Sequence, residues 1–540
     1  MLDNYMKLKT YYCGDVGNES SVYGEGELEY PKRADIDPFL NPLSLKIGMK
    51  AGVVIGCIVI LLVKKYLMSN IELRDTYDHP GNNIFAAYAA YLLYRLTWLM
   101  NVVLWNNRSI QYIHFFKFRG INSQTFLILN ELLTEVGVFL ILFVLFAESL
   151  SEYSFIFGLV NPGYVALTTL IALIAKLFYH FIVHYGTKVA DRGVFTISIV
   201  IRCLVTPYYR ATFRDKIAAN ILTSFSRPVS DLLRGTCWLF SGQLSKSNRY
   251  TTMDDVEFCE DNTFYAIIVS VQLFFVWIRM AQCIRDVKEA NWKIYPSGLN
   301  ALKYFLGFIK IYILIFPGQS LSKTYFAMLV VNSLFRWYWD VVMDWGLGSC
   351  SWDAEAINFS APWGYPSDDE LGLHTSEVRM FFMESMSMTK SEQELDIPRI
   401  SIAANDVSST VRKSVSASSP LPPATSTSST LSRWKYFLLR PNLYLFDRLP
   451  LIYYAAIVLD LILRLLSAVS FLPQSKLVDV LGSEVTFYLG CFEILRRAMW
   501  LTFRLEWEHI KFVALCNKRK EELSSVSDNK TVKNILQKEN

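Results

Sequence analysis

Residues 52–63 read GVVIGCIVILLV, an apolar run without a single charge. With its flanks it is long enough to cross roughly 30 Å of hydrocarbon. Similar runs recur along the chain. Of its 540 residues 52% are hydrophobic, 15% aromatic and only 19% charged, whereas a soluble domain is roughly a quarter charged. A bilayer is the solvent this composition fits, and the fold class follows: all-α, a polytopic membrane protein.

Apolar runs of helical length predict spans near 47–68, 84–106, 126–148, 160–184, 216–241, 263–285, 301–318, 323–345, 448–471 and 477–505, about ten crossings. The stretch from Phe195 to Thr206 is apolar too, but it is short and stops before Pro207, so it reads as a half-buried or interfacial helix. Loop charges test the count, because Lys and Arg concentrate on the cytoplasmic side. With the N-terminus inside, the cytosolic loops hold Arg108, Lys117 and Arg119, then Lys188, Arg192, Arg210 and Arg214, then Lys288 and Lys293, and finally Lys511, Lys518, Arg519 and Lys520. The opposite loops are poor in basic residues.

The expected organisation is a cytosolic segment 1–46, eight spans within 47–348, a disordered cytosolic linker 349–446, two spans within 447–510 and a polar, fraying tail 511–540. The linker contains SVSASSPLPPATSTSSTLS and no apolar periodicity that could bury a core. A passive tether and a phosphorylated regulatory segment both fit it.

Several function classes drop out. A net charge of +4, spread without a dense basic patch, argues against nucleic acid. Nine cysteines, mostly in apolar segments and without a CxxC pair, read as small core hydrophobes rather than a disulfide framework or a metal site. No cleavable signal peptide is visible. There is no Ser/His/Asp constellation, HExxH helix, P-loop or dinucleotide fingerprint, so neither an enzyme nor a bound cofactor is expected.

Ionisable residues inside spans point to function, because they are costly there and face a partner or a polar cavity. The fifth span has Arg227, Asp231 and Arg234, at spacings that set the carboxylate beside both arginines. The sixth has Arg279 and Gln282. The eighth ends in Asp340 and Asp344, expected one turn apart on one face. The ninth has Asp460 and Arg464 at the same spacing, and the tenth carries Glu493, Arg496, Arg497, Arg504, Glu506 and Glu508. Arginine and carboxylate together suit an oxyanion path: guanidinium forks match phosphate oxygens, and carboxylates hold those forks and moderate affinity. Any single pair can equally be neutral helix glue.

The segments Trp277-Ile278-Arg279-Met280-Ala281-Gln282-Cys283-Ile284-Arg285, Asn300-Ala301-Leu302-Lys303-Tyr304 and Trp339-Asp340-Val341-Val342-Met343-Asp344-Trp345-Gly346-Leu347 follow one another. Further on come Ile462-Leu463-Arg464, then Phe492-Glu493-Ile494-Leu495-Arg496-Arg497-Ala498-Met499-Trp500, Phe503-Arg504-Leu505-Glu506 and Glu508-His509. In order and spacing they resemble the EXS domain of eukaryotic phosphate exporters, over roughly residues 84–348 and 447–510. The resemblance implies ten membrane helices, inorganic phosphate as the substrate, and a conduit formed by the later helices. Carried over position by position, it implicates Arg279, Lys303, Tyr304, Asp340, Asp344, Arg464, Glu493, Arg496 and Arg497.

Three positions depart from the family pattern: Asn220 where relatives have an aspartate, Ile268 where an arginine is expected, and Ser467 where a gating tryptophan stands. Either the anion path is rearranged, with Arg227 or Arg234 taking part, or substrate or gating differs. Segment 1–46 is too short for the SPX domain of the large exporters, so control by that domain in cis is not expected. Relatives without it resemble a fungal Golgi protein that returns phosphate to the cytosol, which implies a Golgi or other endomembrane address, the plasma membrane being the alternative. Gly48, Gly52 and Gly56 line one face of the first span and suit close packing against another helix. That neighbour is either in the same chain or, as the exporters imply, in a second copy, giving a homodimer. Two other function classes stay open: a non-transporting Golgi receptor that retains glycosylation enzymes, and a membrane enzyme acting on phosphate-linked lipids.

Overall fold

The computed structural model describes residues 42–67, 79–116, 118, 124–150, 162–179, 197–206, 208, 210–241, 259, 261–313, 323–347, 439–440, 443–469 and 483–536. Among them there are helices and turns and no strand. The chain divides into two compact units, Met1–Met49 and Lys50–Asn540. The described part of the first is the opening of helix α1, Pro42–Leu67.

The second unit holds the rest of α1 and twelve further α-helices: α2 (Asn82–Asn107), α3 (Tyr112–Phe116), α4 (Gln124–Leu150), α5 (Pro162–Tyr179), α6 (Ile197–Leu204), α7 (Phe213–Ser224), α8 (Ser226–Phe240), α9 (Asn262–Glu289), α10 (Ser297–Ile313), α11 (Lys323–Tyr338), α12 (Leu451–Val469) and α13 (Ser483–Leu536). A π-helical turn, Trp339–Asp344, continues α11. Stretches within α1 (Ser44–Val63), α4 (Thr125–Leu150) and α9 (Asn262–Glu289) are long and apolar enough to cross a bilayer on length and composition alone. At eight residues, α6 spans about 12 Å, too little for a crossing.

Helix α2 is the central post. Its sequence is apolar nearly all round, and it buries residues on successive faces, among them Tyr88, Trp98, Val102 and Trp105, against α4, α5, α8 and α13. Ring pairs such as Trp98 with Phe116 at 5.4 Å, edge-on, and Trp105 with Tyr112 at 5.6 Å, tilted, fix its C-terminal half to α3.

The single helix expected over 216–241 is two. Helix α7 starts on a reciprocal cap, in which Thr212 Oγ1 accepts the Asp215 N–H while Asp215 Oδ2 accepts the Thr212 N–H. It ends at Ser224, because Pro228 has no N–H to give the Ser224 carbonyl. The break turns the chain at Phe225 and sets the Ser224 hydroxyl facing α13.

The expectation for the eighth span also needs correction. Its last turn is π-helical, with the Trp345 N–H donating to the Asp340 carbonyl five residues back, so Asp340 and Asp344 diverge in layer and engage different partners. The turn is closed by Gly346 at φ +64°, where Leu347 N–H reaches back to Val341 O at 2.9 Å. A Cβ at Gly346 would stand 2.6 Å from the Trp507 ring. Gly346→Ala is therefore expected to cost about 1–3 kcal/mol through backbone strain and overpacking, read as a lower thermal unfolding midpoint of the purified protein in detergent.

Three further expectations are revised. Cys237 and Cys259 form a disulfide that ties the end of α8 to the start of α9, while Cys57, Cys203 and Cys283 are buried free thiols. Helix α13 runs 54 residues, about 80 Å, and carries the chain through most of the expected tail. Residues 351–433 lie outside the described residues, but the last part of the expected linker is built into the core: Leu439, Arg440 and Leu445 are buried.

Candidate functional site

Helix geometry alone sets Glu493, Arg496 and Arg497 on one side of α13, at i, i+3 and i+4. Arg496 is the centre. It holds Glu493 with two N–H groups, Nε to Oε2 at 2.8 Å and Nη2 to Oε1 at 2.6 Å, and its Nη1 lies 3.2 Å from Asp460 Oδ1 and 3.4 Å from Asp340 Oδ2. Arg464 pairs with Asp460 Oδ2 at 3.1 Å and also with Asp340. Helices α12 and α13 are thus joined to the π-turn by two arginines and two aspartates, and Asp460 and Arg496 are almost wholly buried.

Arg497 faces the elbow between α7 and α8. Its Nε donates to Ser224 Oγ at 2.8 Å, Ser224 in turn donates to Glu493 Oε1 at 2.8 Å, and the guanidinium lies 4.9 Å over the Trp500 ring. A small cavity of about 10 Å³, lined by Tyr94, Asn101, Ser224 and Arg497 among others, has room for about one water behind it.

On the far side, Tyr304 of α10 donates its hydroxyl to Asn220 Oδ1 at 2.7 Å and accepts from Arg279 Nε at 3.3 Å. Asn220, where an aspartate was expected, therefore still anchors the phenol, as a neutral acceptor. Arg279 also donates to Gln282. Lys303 stands 5.0 Å from both the Tyr304 and Trp339 rings.

A second layer lies one turn along α13. Trp500 Nε1 donates to Asp344 Oδ2 at 3.0 Å, and Arg504 pairs with Asp344 at 3.3 Å and with Glu508 at 2.7 Å. Beyond it, Glu506 accepts the Tyr444 and Leu445 N–H groups at 2.7 and 3.0 Å and the Tyr453 hydroxyl at 2.6 Å, and pairs with Arg440 at 2.9 Å.

The nine path residues expected from sequence thus fall on α9, α10, the π-turn, α12 and α13, with Asp344 in the second layer. Arg227 and Asp231 pair at 3.1 Å on α8, and Arg227 packs its stem against Gly490 of α13, outside the Arg496 network. Arg234 acts electrostatically on Asp231. Ile268 is buried on α9, and the Ser467 side chain lies outside the described residues. Sequence reasoning passed over Lys310, Arg336 and Asn332, although each is a polar residue in an apolar run, and over the buried Arg95–Glu131 pair between α2 and α4 at 3.2 Å. The rule that exposed the other intramembrane charges would have found them.

Residues 82–510 match the family model described as the EXS family. The chain is similar to SPX and EXS domain-containing protein 1 of Dictyostelium discoideum, 26% identical over 56% of this chain and 32% of that protein. It is also similar to Phosphate transporter PHO1 homolog 4 of Arabidopsis thaliana, 23% identical over 57% of this chain and 42% of that protein. Protein ERD1 homolog 1 of Schizosaccharomyces pombe is 29% identical over 25% of this chain and 35% of its own length. In each case this chain matches less than half of the relative.

Proposed function

Since this chain belongs to the EXS family, we propose that it moves inorganic phosphate across a membrane through the seam between α7, α9 to α12 and α13. The observation that carries the reading is a charge imbalance deep in a membrane protein. Among the described residues, the seven cations Arg279, Lys303, Lys310, Arg336, Arg464, Arg496 and Arg497 stand with the five carboxylates Asp286, Asp340, Asp344, Asp460 and Glu493. Buried cations are costly without counter-charge, and a mobile oxyanion supplies it. The carboxylates orient the guanidinium forks and keep binding weak enough for release.

One observation favours the second reading, a non-transporting Golgi receptor for glycosylation enzymes. Arg464 and Arg496 already have carboxylate partners, as structural glue would. Flux separates the two. Liposomes holding the purified protein are expected to release trapped phosphate faster than protein-free liposomes; inserted, folded protein that leaves the rate unchanged would overturn transport.

We read the helices as ten crossings in an endomembrane, the Golgi being the address most in keeping with the resemblance, and the protein as a homodimer through α1. Lys50 Nζ donates to Asn130 Oδ1 of α4 at 2.7 Å, yet Ile55, Val59, Leu62 and other apolar residues of α1 are exposed. No atom lies within 4 Å of a Cβ placed at Gly52 or Gly56, so the glycine stripe, which begins at Gly48, is open to another helix there. Gly52→Leu with Gly56→Leu is expected to convert a dimer into monomers, by light scattering in mild detergent, with phosphate flux retained. Wild-type protein that is monomeric both in detergent and in lipid nanodiscs would dismiss the dimer.

A further inference from the structure

We propose that the end of α9 away from the Cys237–Cys259 disulfide carries a headgroup site for anionic lipids, a basic and aromatic collar made with α6 and the segment leading to α10. It goes beyond the transport reading and needs only that α9 crosses the bilayer. At 28 residues α9 is about 42 Å long, which matches the roughly 40–45 Å of a whole bilayer, headgroups included. It starts at exposed polar residues, Asp261, Asn262 and Thr263. With these at one surface, its last turn and the residues after it stand at headgroup depth on the other.

Helix α9 stops in a double turn. The Asn291 N–H donates to Lys288 O at 3.2 Å and the Trp292 N–H to Val287 O at 2.9 Å, with φ of +52° and +62° at the two residues. Such angles are uncommon for a bulky side chain, and Trp292 stands clear of the protein: it is 70% exposed, with Ile294 and Tyr295 at 68% and 51%. The pair Arg210 with Glu289 at 3.2 Å brings the end of α6 alongside. There Ile201, Leu204 and Val205, at i, i+3 and i+4, form an outward stripe with exposed Tyr208 beyond it, while Ile199, Cys203 and Thr206 are buried. Arg202 pairs with Asp215 at 2.9 Å and fixes α6 to α7.

This surface is too apolar for water and too charged for lipid tails. Lys288 and Lys293, both exposed, flank the double turn. The carboxylates beside them are engaged, Asp286 by Lys216 at 2.9 Å and Glu289 by Arg210 and, at 2.7 Å, by Arg285. Among the described residues of the collar, six bases (Arg202, Arg210, Lys216, Arg285, Lys288 and Lys293) stand with three carboxylates, Asp215, Asp286 and Glu289. Trp and Tyr rings are at home in the interfacial belt of any lipid. The excess of bases selects among lipids, because a basic residue at an anionic surface is worth about fivefold in affinity.

The test is photo-crosslinking of the full-length protein in phosphatidylcholine nanodiscs that contain a trace of phosphatidylserine with a photoreactive group at its headgroup end, the labelled peptides being identified by mass spectrometry. Peptides covering 201–210 and 288–295 are expected to take about fivefold more of this probe than of the matching phosphatidylcholine probe, and the excess should shrink as salt is raised. Lys288→Gln with Lys293→Gln should lose the excess and keep the phosphatidylcholine labelling. Lys288→Arg with Lys293→Arg, which retains both charges, should keep it. Equal labelling of the wild type by the two probes overturns the site and leaves a plain lipid-facing rim. The site is equally overturned if the double Gln variant keeps the excess, or if inorganic phosphate at constant ionic strength removes it, which assigns the bases to the free ion. Wild type that neither probe labels overturns it too, since another protein then covers the collar. Phosphate flux, measured separately in liposomes, stands or falls apart from these outcomes.

Discussion

Replacing Arg496 with alanine is expected to abolish phosphate flux and to destabilise the protein by about 3–5 kcal/mol, the cost of stranding buried charges. The reason is its connectivity. One guanidinium holds Glu493 through two bonds and reaches Asp460 and Asp340 with its remaining arm, so its loss leaves three carboxylates with Arg464 and Arg497 as their nearest cations. Arg496→Lys keeps the charge but cannot fork to three acceptors, and it should recover part of the stability and little of the flux. Flux into liposomes and thermal unfolding in detergent give the two readouts. Full flux from properly inserted Arg496→Ala would remove the arginine from the path. Losses confined to stability would make it glue.

Glu506→Gln is expected to release residues 439–440 and 443–446 from the core, at a similar cost of about 3–5 kcal/mol. Glu506 is fully buried, accepts three donors and pairs with Arg440, which itself donates to the Trp345 carbonyl. Glutamine fills the same space. Its amide, however, removes the charge opposite Arg440 and sets N–H groups against N–H groups if the oxygen is turned to the ion pair. The release would show as protease cleavage at Arg440 and as faster hydrogen exchange at the Tyr444 and Leu445 amides. Unchanged protection at both amides would mean that apolar burial of Leu439 and Leu445, rather than this carboxylate, holds the segment.

This docking has a functional side as well. Trp345, held by Arg440, donates its indole N–H to the Trp500 carbonyl at 3.2 Å, and Trp500 donates its own to Asp344. Residue 440 is thus connected to the second charged layer by hydrogen bonds through two tryptophans.

What the sequence made legible follows the range of the physics involved. The trio Glu493, Arg496 and Arg497 and the pair Asp460 and Arg464 could be placed together because an α-helix fixes neighbours three and four apart. That Asp340 would meet two arginines from distant helices could be placed only through the family resemblance. The same local rule misplaced Asp340 and Asp344, because it assumes 3.6 residues per turn and the turn between them is wider. Pro228 did announce the break in the fifth span, but the apolar run on both sides hid it. Lys310 went unremarked because α10 sets no opposite charge at helical spacing from it, and Arg336 because its i+4 neighbour Asp340 was read only against Asp344.

The disulfide, invisible to a search for CxxC, bridges 22 residues and acts as a compass. Such bonds form and persist in oxidising compartments, so on the proposed reading the junction of α8 and α9 is expected on the lumenal or extracellular side. On the ten-crossing reading proposed above, α9, which begins just past Cys259, would emerge in the cytosol near Lys288 and Lys293, where the expected loop charges also put them. On that reading a covalent bond and the distribution of basic residues, two unrelated signals, point the same way for α9.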